Sequence, residues 1–388
     1  MRIIIAPQSL KGSLTAAEAG KAIAQGARVV YPEAEIDIVP IADGGEGTVQ
    51  ALVDATGGRM IRKTVTGPLG EPVDAFFGML GDGRTAAIEM AASSGLPLVP
   101  PERRNPRVTT TYGVGELIRT ALDLGSRHFI LGIGGSATND GGSGMAQALG
   151  ASLTTAKGSE IGRGGAALAT LAHISTATMD ARLQECIFEV ACDVTNPLCG
   201  PKGASVVYGP QKGATPEMIK ELDAALGHYA QIIEQDLHSA VSEIAGAGAA
   251  GGLGAGMIAF LGATLRPGAQ IVLEAVQLEQ HIATADLVIT AEGQLDEQTA
   301  YGKSVGAVAE LAKRYTLPVL ALAGGLGENY RSVYSLGVDA VAVLPSGPMT
   351  LVFAMEHAAA LMSDTTERAL KLFQAGAAVH KRNLSEHN

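Results

Sequence analysis

Short apolar runs alternate with helical stretches at both ends of this chain, while its middle reads differently. Arg2 to Pro7 is an apolar run that ends in a turn. From Ser13 to Val30, Ala16, Ala19, Ile23 and Ala27 recur at helical spacing, with Ser13 or Thr15 placed to cap the start. The unit repeats, with Ile36 to Ala42 as strand, Asp43 to Thr48 as loop and Val49 to Ala55 as helix. From Asp286 the rhythm returns: Leu287 to Ala291 reads as strand, Lys303 to Arg314 as helix, Val319 to Ala323 and Ala340 to Leu344 as strands. Strand, loop and helix in succession predict parallel strands with helical crossovers.

Between these ends the period changes. Met60 to Met90 holds alternating segments (Thr64 to Thr66, Val73 to Met79, Thr85 to Met90) separated by Gly-Pro and Gly-Asp-Gly turns, a hairpin pattern. Tyr112 to Leu124 follows as helix, Phe129 to Ile133 as strand and Pro216 to His238 as a long helix. The expected fold class is therefore α/β. A Rossmann-like parallel-sheet domain is built from residues 1–64 and 281–388, and a large mixed α/β domain is inserted at 65–280.

Composition narrows the function. Glycine is abundant, 50 of 388 residues, and falls in clusters beside acidic and hydroxyl residues, as in backbone-lined ligand loops. With 28 Lys and Arg against 39 Asp and Glu, the net charge of −11 disfavours nucleic acid or an anionic membrane as partner. Met1 to Gly20 is no secretory signal, because Pro7 cuts its apolar run short. Ile244 to Leu265 is uncharged but carries seven glycines, so a packed loop followed by a core helix is expected there rather than a membrane span. Cys186, Cys192 and Cys199 lack zinc-site spacing and suit free thiols in a reducing cytoplasm. The oligomeric state stays open between monomer and homodimer.

Several chemistries lack their motifs. No G-x-x-x-x-G-K-[ST] loop occurs; Gly302-Lys303-Ser304 has its ending, but Glu297 stands where the leading glycine belongs. The H-R-D and D-F-G pair, G-x-S-x-G and H-E-x-x-H are also missing. What remains is a set of polar glycine loops at strand ends. Ala6 to Ser13 opens a helix and carries Lys11, a setting for an anion. Ala42 to Thr48 places Asp43 and Glu46 among glycines, either as ligands to a Mg²⁺ that bridges to phosphate or as acids at a helix start. Gly132 to Gly142 contains a loose G-x-G-x-x-A, yet no ribose-binding acid follows about 20 residues on, so a phosphate cradle fits better than a nicotinamide site. Cys192 to Pro197 offers Asp193 as base or metal ligand, or as a simple turn residue. Glu292 to Asp296 and Lys303 close the series. Acids, lysines and glycine loops together are the equipment of phosphoryl transfer.

These loops, in this order and over nearly the whole chain, resemble the type-1 family of bacterial glycerate kinases. The match runs through Ala6 to Ser13, Ala42 to Thr48, Gly132 to Gly142, Cys192 to Pro197, Gly209 to Gly213, Ala245 to Gly254 and Glu292 to Lys303. The resemblance implies two domains with a cleft between them, ATP, Mg²⁺ and glycerate as small-molecule substrate, with 2-phosphoglycerate and ADP as products. It implies Asp43, Asp193 and Lys11 as catalytic residues and Ser9, Lys11, Gly44, Gly45 and Asn196 around the substrate. Gly134, Gly135, Ser136, Thr138, Asn139, Lys212 and Lys303 fall to the nucleotide, and Glu292 and Asp296 to the metal. Two positions depart from the family pattern: Gln8 stands where Asp is usual, and Ala291 where Gly is usual. The alternatives are transfer to the 3-hydroxyl, a nicotinamide-dependent hydroxy-acid oxidoreductase using Gly132 to Ala137, and a non-catalytic hydroxy-acid sensor, which Gln8 makes plausible.

Overall fold

A computed structural model describes residues 1–300 and 303–385, so Gly302 of the last loop lies outside the described residues. The chain divides into two units, residues 1–43 with 272–388 and residues 44–271.

The chain-end unit is built on a five-stranded, fully parallel sheet in the order Ala340–Val343, Val319–Leu326, Leu287–Leu295, Arg2–Pro7, Glu35–Ile38. Ile3, Ile4 and Ile5 are all fully buried, as expected for a central parallel strand covered on both faces. The helix Ala16–Val30 starts on a reciprocal cap: the Glu18 N–H donates to Thr15 Oγ1, and the Thr15 N–H donates back to the Glu18 carboxylate. Its small residues let it approach the C-terminal helix Ala358–Ser385, and a Cβ at Gly26 would sit 2.1 Å from the Ser363 carbonyl oxygen. The parallel α/β domain expected from both chain ends is present.

The central unit carries a mixed six-stranded sheet, in the order Thr264–Arg266, Ile187–Ala191, His128–Gly132, Thr85–Glu89, Pro72–Met79, Arg59–Thr66. The first four strands are parallel, and the last two form the expected antiparallel hairpin. Phe129 and Phe188 stack at 4.7 Å between centroids within its core. The first division falls at Asp43, before the expected residue 64, because the helix Thr48–Thr56 lays Val49 and Val53 against Gly78 of the hairpin. The second falls at residue 271 rather than 280. Residues 244–265 form a loop and a core helix, Ala249–Leu261, broken at Ala250, Gly251 and Gly252. The strand Thr264–Arg266 that follows, and the small pair Ser152–Thr154 and His173–Ser175, are too short to leave a periodic signal. No helix among the described residues is long and apolar enough to cross a membrane.

The Gly26 contact gives a test with an internal control. Gly26→Val should destabilise the protein by about 1–3 kcal/mol, since the side chain meets backbone that cannot retreat. Gly376→Ala, in the same C-terminal helix with nothing within 4 Å, should stabilise it by up to about 1 kcal/mol. Thermal unfolding of the two variants should move in opposite directions.

Candidate active site

In the chain-end unit, the carboxyl ends of three neighbouring strands release loops around a cavity of about 430 Å³. Parallel sheets bind ligands at this edge, because the strands end there and helix N-termini begin. Ser9 and Lys11 come from the loop after Arg2–Pro7, and Asp43 from the segment after Glu35–Ile38. Glu292 and Asp296 come from the far end of Leu287–Leu295 and just beyond it, and Lys303 precedes the helix Ser304–Arg314. Six residues singled out from three separate stretches of sequence thus line one hollow.

Glu292 is the electrostatic centre of this cavity. Burial pushes its carboxyl up to about 7, Asp43 and Asp296 push in the same direction, and Lys303 opposes them. It accepts a hydrogen bond from Thr299 Oγ1 at 3.2 Å. Thr299 also ties down Asp296: its Oγ1 accepts from the Asp296 N–H, and its own N–H donates to Asp296 Oδ1. Thr299 therefore holds both acids, Glu292 through its hydroxyl and the Asp296 carboxylate through its N–H. No group of three or more His, Cys, Asp or Glu side chains among the described residues is arranged to cage a metal. Mg²⁺ does not need such a cage, since it commonly takes one or two carboxylates and completes its shell with phosphate oxygens and water. The donor set here fits that mode: carboxylate oxygens on the lining of a cavity with room for phosphate.

The central unit brings other loops together. A Cβ at Gly132 would lie 2.6 Å from the Gly44 carbonyl, and one at Gly44 would lie 2.5 Å from Ala191 Cβ. Hence the loops after His128–Gly132 and Ile187–Ala191 meet the segment that begins with Gly44 and Gly45. Asp193 accepts the Gly268 N–H at 2.9 Å. Asn196 is committed on both sides, donating to the Lys202 carbonyl and accepting from Tyr208 OH.

The long glycine loop is held rigidly from behind. Asp140 is fully buried and accepts from the Thr111 N–H and hydroxyl and from the Gly142 and Gly144 N–H groups. Burial raises its carboxyl above the usual range, while the donors from Thr111, Gly142 and Gly144 oppose the rise. Gly251, at φ +71°, approaches so closely that a Cβ would sit 2.0 Å from the Thr138 carbonyl. In consequence the loop presents only part of the expected nucleotide set. Gly134 and Gly135 are exposed, whereas Ser136, Thr138 and Asn139 are buried. Lys212 is also buried, with its Nζ donating to the Thr138 carbonyl at 2.6 Å. That geometry makes Lys212 a prop beneath the loop, and the sequence pattern Gln211-Lys212-Gly213 gives no hint of it.

One buried acid that shapes these loops escaped the sequence reading. Glu89, at the end of Thr85–Glu89, is buried and accepts the Val49 N–H at 2.9 Å. It thereby caps the helix Thr48–Thr56, whose N-cap Gly47 has no side chain to do so. The partners lie forty positions apart, so no local motif could reveal the pair.

The family model described as "Glycerate kinase family" matches residues 3–374. The chain belongs to the glycerate kinase family. It is 56% identical over 365 residues to a protein named glycerate kinase from Bacillus subtilis (strain 168), covering 94% of this chain and 96% of that one. It is 51% identical to a protein named glycerate 2-kinase from Escherichia coli (strain K12), over 99% of this chain and 100% of the relative. Among solved structures, one named for glycerate kinase 2 of Salmonella typhimurium LT2 superposes with a TM-score of 0.91 at 53% identity, covering 97% of this chain and 99% of that one. The fold of this glycerate kinase family member is thus matched across both units.

The buried lysine yields a prediction in stability. Desolvation pulls Lys212 down to about 7, and Asp140 partly offsets this. An unfolded lysine titrates near ~10.4, so between these values the unfolded chain binds the extra proton and stability rises with pH. Below pH 7 the full cost of burying the charge is present. Denaturant unfolding from pH 7 to 10 should show this upward slope, and Lys212→Met should flatten it.

Proposed function

We propose that this protein transfers the terminal phosphoryl group of ATP to the 2-hydroxyl of D-glycerate, giving 2-phosphoglycerate and ADP. The observation that carries the reading is the single cavity that gathers Ser9, Lys11, Asp43, Glu292, Asp296 and Lys303. Family membership and the E. coli relative named glycerate 2-kinase support the same reaction.

Each residue has a task that its chemistry allows. Lys11 and the Ser9 hydroxyl, both on the loop after Arg2–Pro7, hold the substrate carboxylate. Asp43 accepts the proton of the attacking hydroxyl, while the hydroxyl oxygen bonds to phosphorus and the bond to ADP breaks. Asp193 is the second choice for that base, since its carboxylate already takes the Gly268 N–H. Lys303, on the lining of the cavity, meets the phosphates. Glu292 and Asp296 would hold Mg²⁺ together with phosphate oxygens, and the ion would neutralise charge on the transferring group. Three free thiols suit a reducing, cytoplasmic setting.

A coupled ADP-release assay with D-glycerate and Mg²⁺, followed by phosphorus NMR of the product, tests the reaction and its position. ADP and a 2-phosphate signal are the expected result. Tight glycerate binding without ADP would instead support a sensor. Asp43→Asn should lower kcat by about 10²–10⁴-fold, with a smaller loss for Asp193→Asn. Wild-type rates in both variants would remove these two acids from the chemistry.

A further inference from the structure

The cavity holds one polar atom that the residues lining it leave unanswered. Gln8 is 5% exposed and lines the cavity, and its side-chain oxygen is buried with no hydrogen-bond partner among the described residues. Its position is not slack: the Gln8 N–H donates to the Ala291 carbonyl at 2.8 Å, which locks this residue to the neighbouring strand. An acceptor kept out of water without a donor is destabilising. The arrangement therefore calls for a ligand that brings an O–H or N–H group.

The acids around it cannot serve while ionised, because a carboxylate only accepts. On the proposed reading, the substrate brings three groups to this cavity. Its carboxylate is drawn to Lys11, and its reacting hydroxyl gives up a proton to Asp43. The second hydroxyl remains, and it must stay protonated. A neutral amide oxygen suits it, accepting the hydrogen without pulling the proton away. A carboxylate in the same place would add another negative charge beside Asp43, Glu292 and Asp296.

Resting on the glycerate kinase reading, we infer that Gln8 is a substrate-specificity residue: its side-chain oxygen accepts a hydrogen bond from the hydroxyl that is not phosphorylated, selecting a dihydroxy acid over a monohydroxy acid. D-Lactate is the matched probe, having the same carboxylate and 2-hydroxyl but a methyl group in place of the second hydroxyl-bearing carbon. ADP release is measured with D-glycerate and with D-lactate for the wild type, Gln8→Leu, Gln8→Met and Gln8→Glu.

The wild type should prefer glycerate by about 10–100-fold or more in kcat/KM. In Gln8→Leu and Gln8→Met the preference should collapse by about 10–100-fold, through a higher KM for glycerate, with lactate changed less than about threefold. Gln8→Glu restores an acceptor oxygen and should keep the preference while lowering the rate with both acids. A packing role alone would lower both substrates equally in all three variants. A preference unchanged within about twofold in both Leu and Met variants, or a wild type with no preference, overturns the inference. No ADP from the wild type with either acid overturns the kinase reading along with it. That outcome is distinct from a wild type that turns over while its variants keep the preference.

Discussion

A carboxylate removed from water must be met by donors or by positive charge, and three acids at strand or loop ends meet this demand differently. Asp140 is enclosed by the Thr111 hydroxyl and three backbone N–H groups. Glu89 takes the amides at the start of a helix whose glycine cap cannot bond them itself. Glu292 takes the Thr299 hydroxyl and the positive charge of Lys303, with two further acids at its side. The first two are closed structural solutions, and each fixes a loop. The third differs in that it lies in a cavity with room for a ligand. A buried acid placed there can meet a cation or a ligand as well as groups of the protein.

The same logic explains why glycine is so frequent here. A loop at a strand end can crowd against another loop only if side chains are absent at the crossing points. Gly132 against Gly44 and Gly251 against Thr138 are two such crossings, each with backbone closer than any Cβ would permit. The cluster is therefore a packing requirement. Gly134 and Gly135 are exposed; the Thr138 and Asn139 side chains are buried and become part of the support.

Much of this was legible in the sequence, and the reasons for the rest are physical. The strand–loop–helix units at the chain ends announce themselves through local periodicity, and so does the hairpin of Arg59–Thr66 and Pro72–Met79. The site residues of the chain-end unit could be named because each sits in a short loop after an apolar run. Contacts distant in sequence could not be read. Asn139 bonding to Ser205, Lys212 to Thr138 and Glu89 to Val49 all depend on which loops meet in space. The early division at Asp43 has the same origin: the helix Thr48–Thr56 looks like a continuation of the parallel rhythm, but Val49 and Val53 find their partner surface at Gly78.

The chain-end cavity is also partly apolar, which bears on how its charges act. Besides the acids and lysines it is lined by Leu344, Pro345, Leu351, Ala354, Met355 and Leu361. The Ser13 hydroxyl donates to the Met355 carbonyl at 2.7 Å, so the apolar wall is tied to the loop that carries Lys11. An apolar wall lowers the local dielectric, and interactions between charges strengthen as the dielectric falls. The wall that raises the cost of ionising Glu292 therefore also strengthens any bond it makes to a cation. Ligand binding and acid burial are in this sense one problem: the cavity keeps water away from Glu292, and an arriving cation with its phosphate oxygens would replace what water would have provided.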